Sequence, residues 1–90
     1  MSKLAAMRNI GREMARKLTA VGIDSPEKLT AAGSKQAFFR LKEVFPNVCL
    51  VHLYALEGAI QSVEFNSLPA DRKGELKAFS NQLTGRHPKS

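Results

Sequence analysis

The 90-residue chain carries a formal net charge of +6, with 43% hydrophobic and 24% charged residues. Those values are typical of one soluble globular domain and exclude a disordered chain. The single cysteine, Cys49, excludes an internal disulfide and fits a reducing compartment. The longest apolar run, residues 48–59, is interrupted by His52 and Glu57 and is too short to span a bilayer. Because no signal-peptide pattern opens the chain, we expect a cytoplasmic protein without a membrane partner.

The positive charge is concentrated at the two ends of the chain. Residues 1–17 contain five basic residues and one acidic residue, and residues 71–90 contain five basic and two acidic residues. The middle, residues 18–70, has four basic and five acidic residues. If the two ends meet in the fold, they form one basic face suited to a polyanion. If they do not, the charge is a solvated surface.

Three helical segments are predicted in the first third of the chain. The first is short, around residues 3–7. The second covers residues 12–21 and ends at Gly22, because glycine is favoured just past a helix end. The third begins at Ser25-Pro26, a serine cap followed by proline in the first turn, and it ends at Gly33.

The next two segments are predicted to contribute to the core, with the fifth at its centre. Ser34 is expected to cap the fourth segment, which Pro46 ends. The fifth begins after Asn47 and runs to about Val63, and it is apolar on nearly every side. Such a helix belongs in the middle of a domain. Its internal glycine, Gly58, predicts that another helix approaches closely.

A last helix is predicted from about Pro69 to Leu83, with Gly85 ending it. Its apolar stripe consists of Leu76, Phe79 and Leu83. We expect one helical domain over residues 1–84 and a flexible basic tail over 85–90. Since no alternating strand pattern occurs, the predicted fold class is all-α, a compact five- or six-helix domain around the buried fifth segment.

The turn Asn9-Ile10-Gly11 runs directly into the amphipathic second segment. A tight turn at a helix N-terminus leaves backbone amides that can hold a phosphate. We therefore predict that the amides of residues 10–12 contact nucleic-acid phosphates, aided by basic side chains and with low sequence specificity. The predicted nucleic-acid-binding residues are Arg8, Asn9, Ile10, Gly11, Arg12, Arg16 and Lys17. The alternative stays open that the turn is structural, that Ile10 fills the core, and that the arginines are solvated.

No other constellation predicts chemistry. Cys49 and His52 lie three residues apart and can be neighbours on a helix, but the expected burial of that helix favours a cysteine acting as a small hydrophobe. Two histidines and one cysteine do not fill a tetrahedral zinc site. We therefore predict no catalytic residues, no metal, no cofactor and no enzymatic activity. Glu57, inside the apolar helix, predicts a structural ion pair or capping contact, or alternatively a docking role.

Residues 7–18 resemble the second half of a helix-hairpin-helix motif, with the pattern Asn9-Ile10-Gly11, then Ala15 and Leu18. Asn9 stands where that motif has its first glycine, and asparagine tolerates left-handed backbone angles better than most residues. Residues 20–29 also look like these folds, including the C-terminal domain of the RNA polymerase α subunit. The resemblance implies a hairpin whose backbone amides bind DNA phosphates.

A longer resemblance extends over residues 4–80 and depends on several further motifs. They are Ala20-Val21-Gly22-Ile23, Phe39-Arg40-Leu41-Lys42, Pro46-Asn47-Val48-Cys49-Leu50, Leu53-Tyr54-Ala55-Leu56-Glu57-Gly58-Ala59-Ile60 and Leu68-Pro69. Together they resemble the C-terminal domain of the TfoX/Sxy family of competence regulators. That resemblance implies a role in switching on DNA-uptake genes alongside a cyclic-AMP receptor protein. Two functions stay open: a DNA-binding regulatory module, and a protein-interaction domain that docks on a transcription factor, on RNA polymerase or on a second copy as a homodimer.

Overall fold

The computed structural model describes residues 3–85. It contains four α-helices and two short 3-10 helices. The α-helices are α1 (Arg12–Ala20), α2 (Pro26–Val44), α3 (Leu50–Gln61) and α4 (Ala70–Gly85), and the 3-10 helices are Lys3–Ala6 and Phe65–Ser67. No strand occurs within residues 3–85, so the all-α prediction is confirmed. The tail predicted over residues 85–90 falls, beyond Gly85, outside the described residues.

The helix count differs from the predicted five or six because α2 joins two predicted segments. It is interrupted at Gly33, whose φ of 84° and ψ of 160° are not helical. A positive φ is accessible to glycine without steric cost. The predicted boundary is therefore present as a kink within one helix. Ser34, predicted to cap the segment that follows, instead donates its buried hydroxyl to Glu57 Oε1 of α3 at 2.6 Å.

Local sequence signals account for the beginning of α2 and for the buried side of α1. Ser25 caps α2 by accepting a hydrogen bond from the amide of Lys28 at 3.2 Å, and Pro26 occupies the first turn. In α1 the buried residues lie on one side of the helix, as the spacing predicts. They are Met14, Ala15 and Leu18.

Helix α3 lies at the centre of the core and packs chiefly against α2. Leu53 and Leu56 are fully buried in the same cluster as Phe38 and Leu41 of α2. The helix is shorter than predicted at both ends. It ends at Gln61 because the next residue, Ser62, adopts a left-handed φ of 61°, so the predicted extension to residue 63 is wrong.

A carboxylate within this core is held by three neighbours. Glu57 of α3 accepts hydrogen bonds from Arg72 of α4 at 3.0 Å and 3.1 Å, from Ser34 of α2, and from Gln61. Burial alone would raise the pKa of Glu57, but the hydrogen bonds from Arg72, Ser34 and Gln61 outweigh it and leave the pKa below its ordinary value. The structural ion pair predicted for this residue is confirmed. It joins α2, α3 and α4 at one point.

Candidate nucleic-acid interface

The segment before α1 forms a compact hairpin, which we define as residues 7–11. The preceding 3-10 helix is anchored by the fully buried Leu4. The amide of Met7 donates to the carbonyl of Leu4 at 3.0 Å, and the amide of Ile10 donates to the carbonyl of Met7 at 3.1 Å. The side chain of Ile10 is buried. Ile10 therefore fills the core and has its amide satisfied, so the prediction that this amide contacts phosphate is wrong.

Asn9 fixes the position of the hairpin on the rest of the domain. Its φ of 71° is left-handed, a conformation that asparagine adopts more readily than most residues. Its side-chain amide donates to the carbonyl of Val63, just beyond α3, at 2.8 Å. It also fills the space beside Gly58, where a Cβ atom would clash with the Asn9 side chain and lie 2.6 Å from the Val63 carbonyl oxygen. The close approach predicted at Gly58 is thus made by the hairpin and by the chain after α3, not by another helix.

The first turn of α1 presents unpartnered backbone donors. Gly11 is the N-cap residue, and no side chain caps the helix there. Within residues 3–85 no acceptor is recorded for the amides of residues 11–13, and all three residues are exposed. Because the partial positive charge of a helix dipole is concentrated at this end, these amides form a surface that favours an anion.

The hairpin and α1 carry four basic side chains, and their partners differ. Arg8 forms an ion pair with Glu64 at 2.7 Å, and Arg16 forms one with Glu13. A side-chain hydrogen bond from Arg16, together with its charge, lowers the pKa of Glu13. Lys17 Nζ lies 5.5 Å from the centroid of the Phe45 ring, a cation–π distance.

Arg12 differs from the other three cations of this surface. It is exposed, and the described part of the chain gives it no ion pair or hydrogen bond. It also contributes one of the unpartnered amides. Both the backbone and the side chain of Arg12 therefore face solvent beside the exposed amides of its neighbours.

The structure brings most of the predicted residues to one surface but changes their roles. We call the following residues the α1 surface, of which all are exposed except the half-buried Lys17: Arg8, Gly11, Arg12, Glu13, Arg16 and Lys17. Asn9 and Ile10 support this surface from beneath. Glu13 was absent from the prediction, although its spacing to Arg16 is that of an ordinary helical ion pair. Glu64 lies 56 residues from its partner Arg8, and no local signal could have indicated that pairing.

Cys49 and His52 cap the start of α3, a structural role that was not predicted. Cys49 is exposed and is the N-cap residue of α3, so the prediction of a buried cysteine is wrong. Its backbone amide donates to His52 Nδ1 at 2.9 Å, and its Sγ atom lies 3.5 Å from the same nitrogen. Burial and the charges of Lys17 and Lys42 lower the pKa of His52. The neutral imidazole thus completes a capping box at the start of α3.

Residues 3–85 contain neither a candidate metal site nor a candidate membrane span. No three histidine, cysteine, aspartate or glutamate side chains there are placed to hold one metal ion. No helix in the same part of the chain is long and apolar enough to cross a membrane.

Comparison with known proteins identifies relatives of the whole fold. Among curated proteins none matches the chain. An uncharacterized protein from Listeria monocytogenes, crystallised in a triclinic form, is 41% identical and superposes with a TM-score of 0.90 over 91% of this chain and 93% of that chain. A protein of unknown function from the same organism, in a tetragonal form, is 43% identical with a TM-score of 0.81 over 83% of this chain and 92% of that one.

The family resemblance expected from the sequence motifs is confirmed. A family model described as the TfoX C-terminal domain matches residues 1–80, which include the hairpin, α1 to α3 and most of α4. This is a competence-associated family. The chain therefore belongs to the TfoX C-terminal domain family.

Proposed function

We propose that this domain is a non-enzymatic regulatory module that binds the phosphate backbone of DNA through its α1 surface, in the control of competence. The observation that carries the proposal is the first turn of α1. There the exposed amides of Gly11, Arg12 and Glu13 lack acceptors within the described residues, and the unpaired Arg12 side chain lies beside them. Backbone amides and an arginine are the donors that bind phosphate in proteins.

This arrangement is suited to backbone contact rather than to base readout. The contacts available are a helix end and basic side chains, and contacts of these groups with phosphates carry no sequence information. The affinity should therefore depend steeply on salt. With two to four phosphates contacted, it should fall about ten- to a hundredfold between about 50 and 200 mM salt.

Fluorescence anisotropy with a labelled nonspecific duplex tests the proposal. Arg12→Gln should weaken binding at low salt about five- to tenfold, because one charged hydrogen-bond donor is lost. The matched control is Arg40→Gln on α2. That arginine is also exposed and has no ion pair in the described part of the chain. Absence of binding at low salt, or an equal loss in both variants, would overturn the proposal.

Docking on a transcription factor, on RNA polymerase or on a second copy is the alternative, and one observation favours it. Val44 at the end of α2 and Val51 near the start of α3 are 56% and 53% exposed. Two separate exposed valines are ordinary for a soluble protein, so this support is weaker than that for DNA. Size-exclusion chromatography distinguishes the two functions, since a dimer that Val44→Ser and Val51→Ser together dissociate would support docking.

A further inference from the structure

Two carboxylates lie among the cations of the α1 surface. Glu13 is in the first turn of α1 and pairs with Arg16, one turn further along. Glu64 comes from the segment after α3 and pairs with Arg8 at 2.7 Å. The hydrogen bond from Asn9 to Val63 holds that segment against the hairpin, which places Glu64 beside Arg8. Half of the basic side chains on this surface therefore already contact an anion of the protein itself.

Both ion pairs are of the kind that a phosphate can replace. Each of the four side chains is at least 52% exposed, so water and salt screen the attraction between the partners. A carboxylate and a phosphate accept the same charge-assisted hydrogen bonds from a guanidinium group. When a phosphate takes Arg8 or Arg16, the displaced carboxylate remains close by and repels it.

We infer that Glu13 and Glu64 are internal competitors that set the affinity of the α1 surface for DNA, an inference that rests on the proposed function. In the unbound domain they pair with Arg8 and Arg16, whereas Arg12 and Lys17 form no ion pair within the described residues. Binding is thereby kept weak and reversible. Loss of either carboxylate strengthens binding, whereas loss of a basic side chain at a DNA-binding surface weakens it.

The competition also determines the salt dependence. The logarithm of the affinity falls with the logarithm of the salt concentration with a slope of about −0.9 for each phosphate neutralised. Arg12 and Lys17, the two cations without an ion pair in the described residues, give a slope of about −2. Release of Arg8 and Arg16 adds two contacts and brings the slope to about −4.

The test compares Glu13→Gln, Glu64→Gln and the double variant with Glu27→Gln by anisotropy on the same nonspecific duplex. Glu27 is a matched control because it is exposed, lies in the first turn of α2 as Glu13 does in α1, and has no ion pair among the described residues. All single variants gain the same net charge. Glu13→Gln also removes a favourable interaction between the carboxylate and the helix dipole of α1. Because Glu64 lies outside α1, Glu64→Gln tests the competition without that second effect.

We expect each variant of the α1 surface to bind about two- to fivefold more tightly than the wild type at low salt, and the double variant about five- to twentyfold. Glu27→Gln should change the affinity little. If the wild type binds but Glu13→Gln and Glu64→Gln gain no more than Glu27→Gln, the competition is overturned and the proposed function stands. If the wild type and the double variant both fail to bind at low salt, the proposed function is overturned together with the inference.

Discussion

Replacing Arg72 by methionine should destabilise the domain strongly, because Glu57 would keep its buried charge and lose its only charged partner in the described structure. The Arg72 guanidinium donates from Nε and Nη2 to the two carboxylate oxygens at 3.0 Å and 3.1 Å. Ser34 and Gln61 remain as donors, but neither is charged. Methionine has a similar length and packs well, so the substitution removes charge more than volume.

The size of the effect follows from the burial of the two partners. The Glu57 side chain is 7% exposed and that of Arg72 is 31% exposed. Breaking a fully buried pair costs about 3–5 kcal/mol, and the partial exposure of Arg72 lets water solvate the remaining charge, so we expect about 2–3 kcal/mol. For a domain of this size, that lowers the melting temperature by about 10–20 °C.

Urea denaturation followed by circular dichroism measures this cost. Arg40→Met, at an exposed arginine of α2 that forms no ion pair within the described residues, should change the free energy of unfolding by about 0.5 kcal/mol or less. Glu57→Gln combined with Arg72→Met should recover part of the loss, because no unpaired charge stays buried. A cost below about 1 kcal/mol for Arg72→Met, or strict additivity in the double variant, would refute this account of the network.

Two further predictions concern Gly58 and His52. Gly58→Ala should cost about 1–3 kcal/mol, because the added methyl group would clash with the Asn9 side chain and with the backbone carbonyl of Val63. Gly74→Ala, where nothing lies within 4 Å, should instead stabilise α4 by about 0.5–1 kcal/mol. Thermal melts of both variants check this, and equal effects would contradict it. The pKa of folded His52 lies below its ordinary 6.5, so the cap that its neutral ring provides is complete above pH 6.5 and is lost as the pH falls through the lower folded value. Between about pH 7 and pH 5 the wild type should therefore lose more stability than His52→Gln in urea titrations, and parallel pH profiles would exclude this role.

Local features of the fold could be predicted from the sequence, because each depends on a few adjacent residues. The cap and proline at Ser25-Pro26 begin α2, and the positive φ of Gly33 divides it. The turn at residues 9–11 leads into an amphipathic helix in which Arg12 and Arg16 are exposed. The helix start, the kink and the amphipathic pattern depend on backbone sterics, on a local cap and on the spacing of apolar residues.

Contacts between distant residues could not be predicted in the same way. Asn9 and Val63 are 54 residues apart, and no local sequence pattern indicates that they form a hydrogen bond. Burial of Cys49 was predicted from the apolar character of residues 48–63, but α3 begins only at Leu50 and places Cys49 at its exposed N-cap position. The partners of Arg8 and Arg72 likewise depend on how the helices pack. Their packing decides which cations of the basic surface remain unpaired.

The central claim is that the exposed amides at the start of α1 hold a phosphate. The most direct measurement is an amide nitrogen–proton NMR titration of the full chain with a short nonspecific DNA duplex at low salt. We predict the largest shifts at Gly11, Arg12 and Glu13, with little change at Gly74 of α4, and reversal of the shifts when salt is added. Unchanged amides at residues 11–13 in a protein that binds the duplex would contradict the claim.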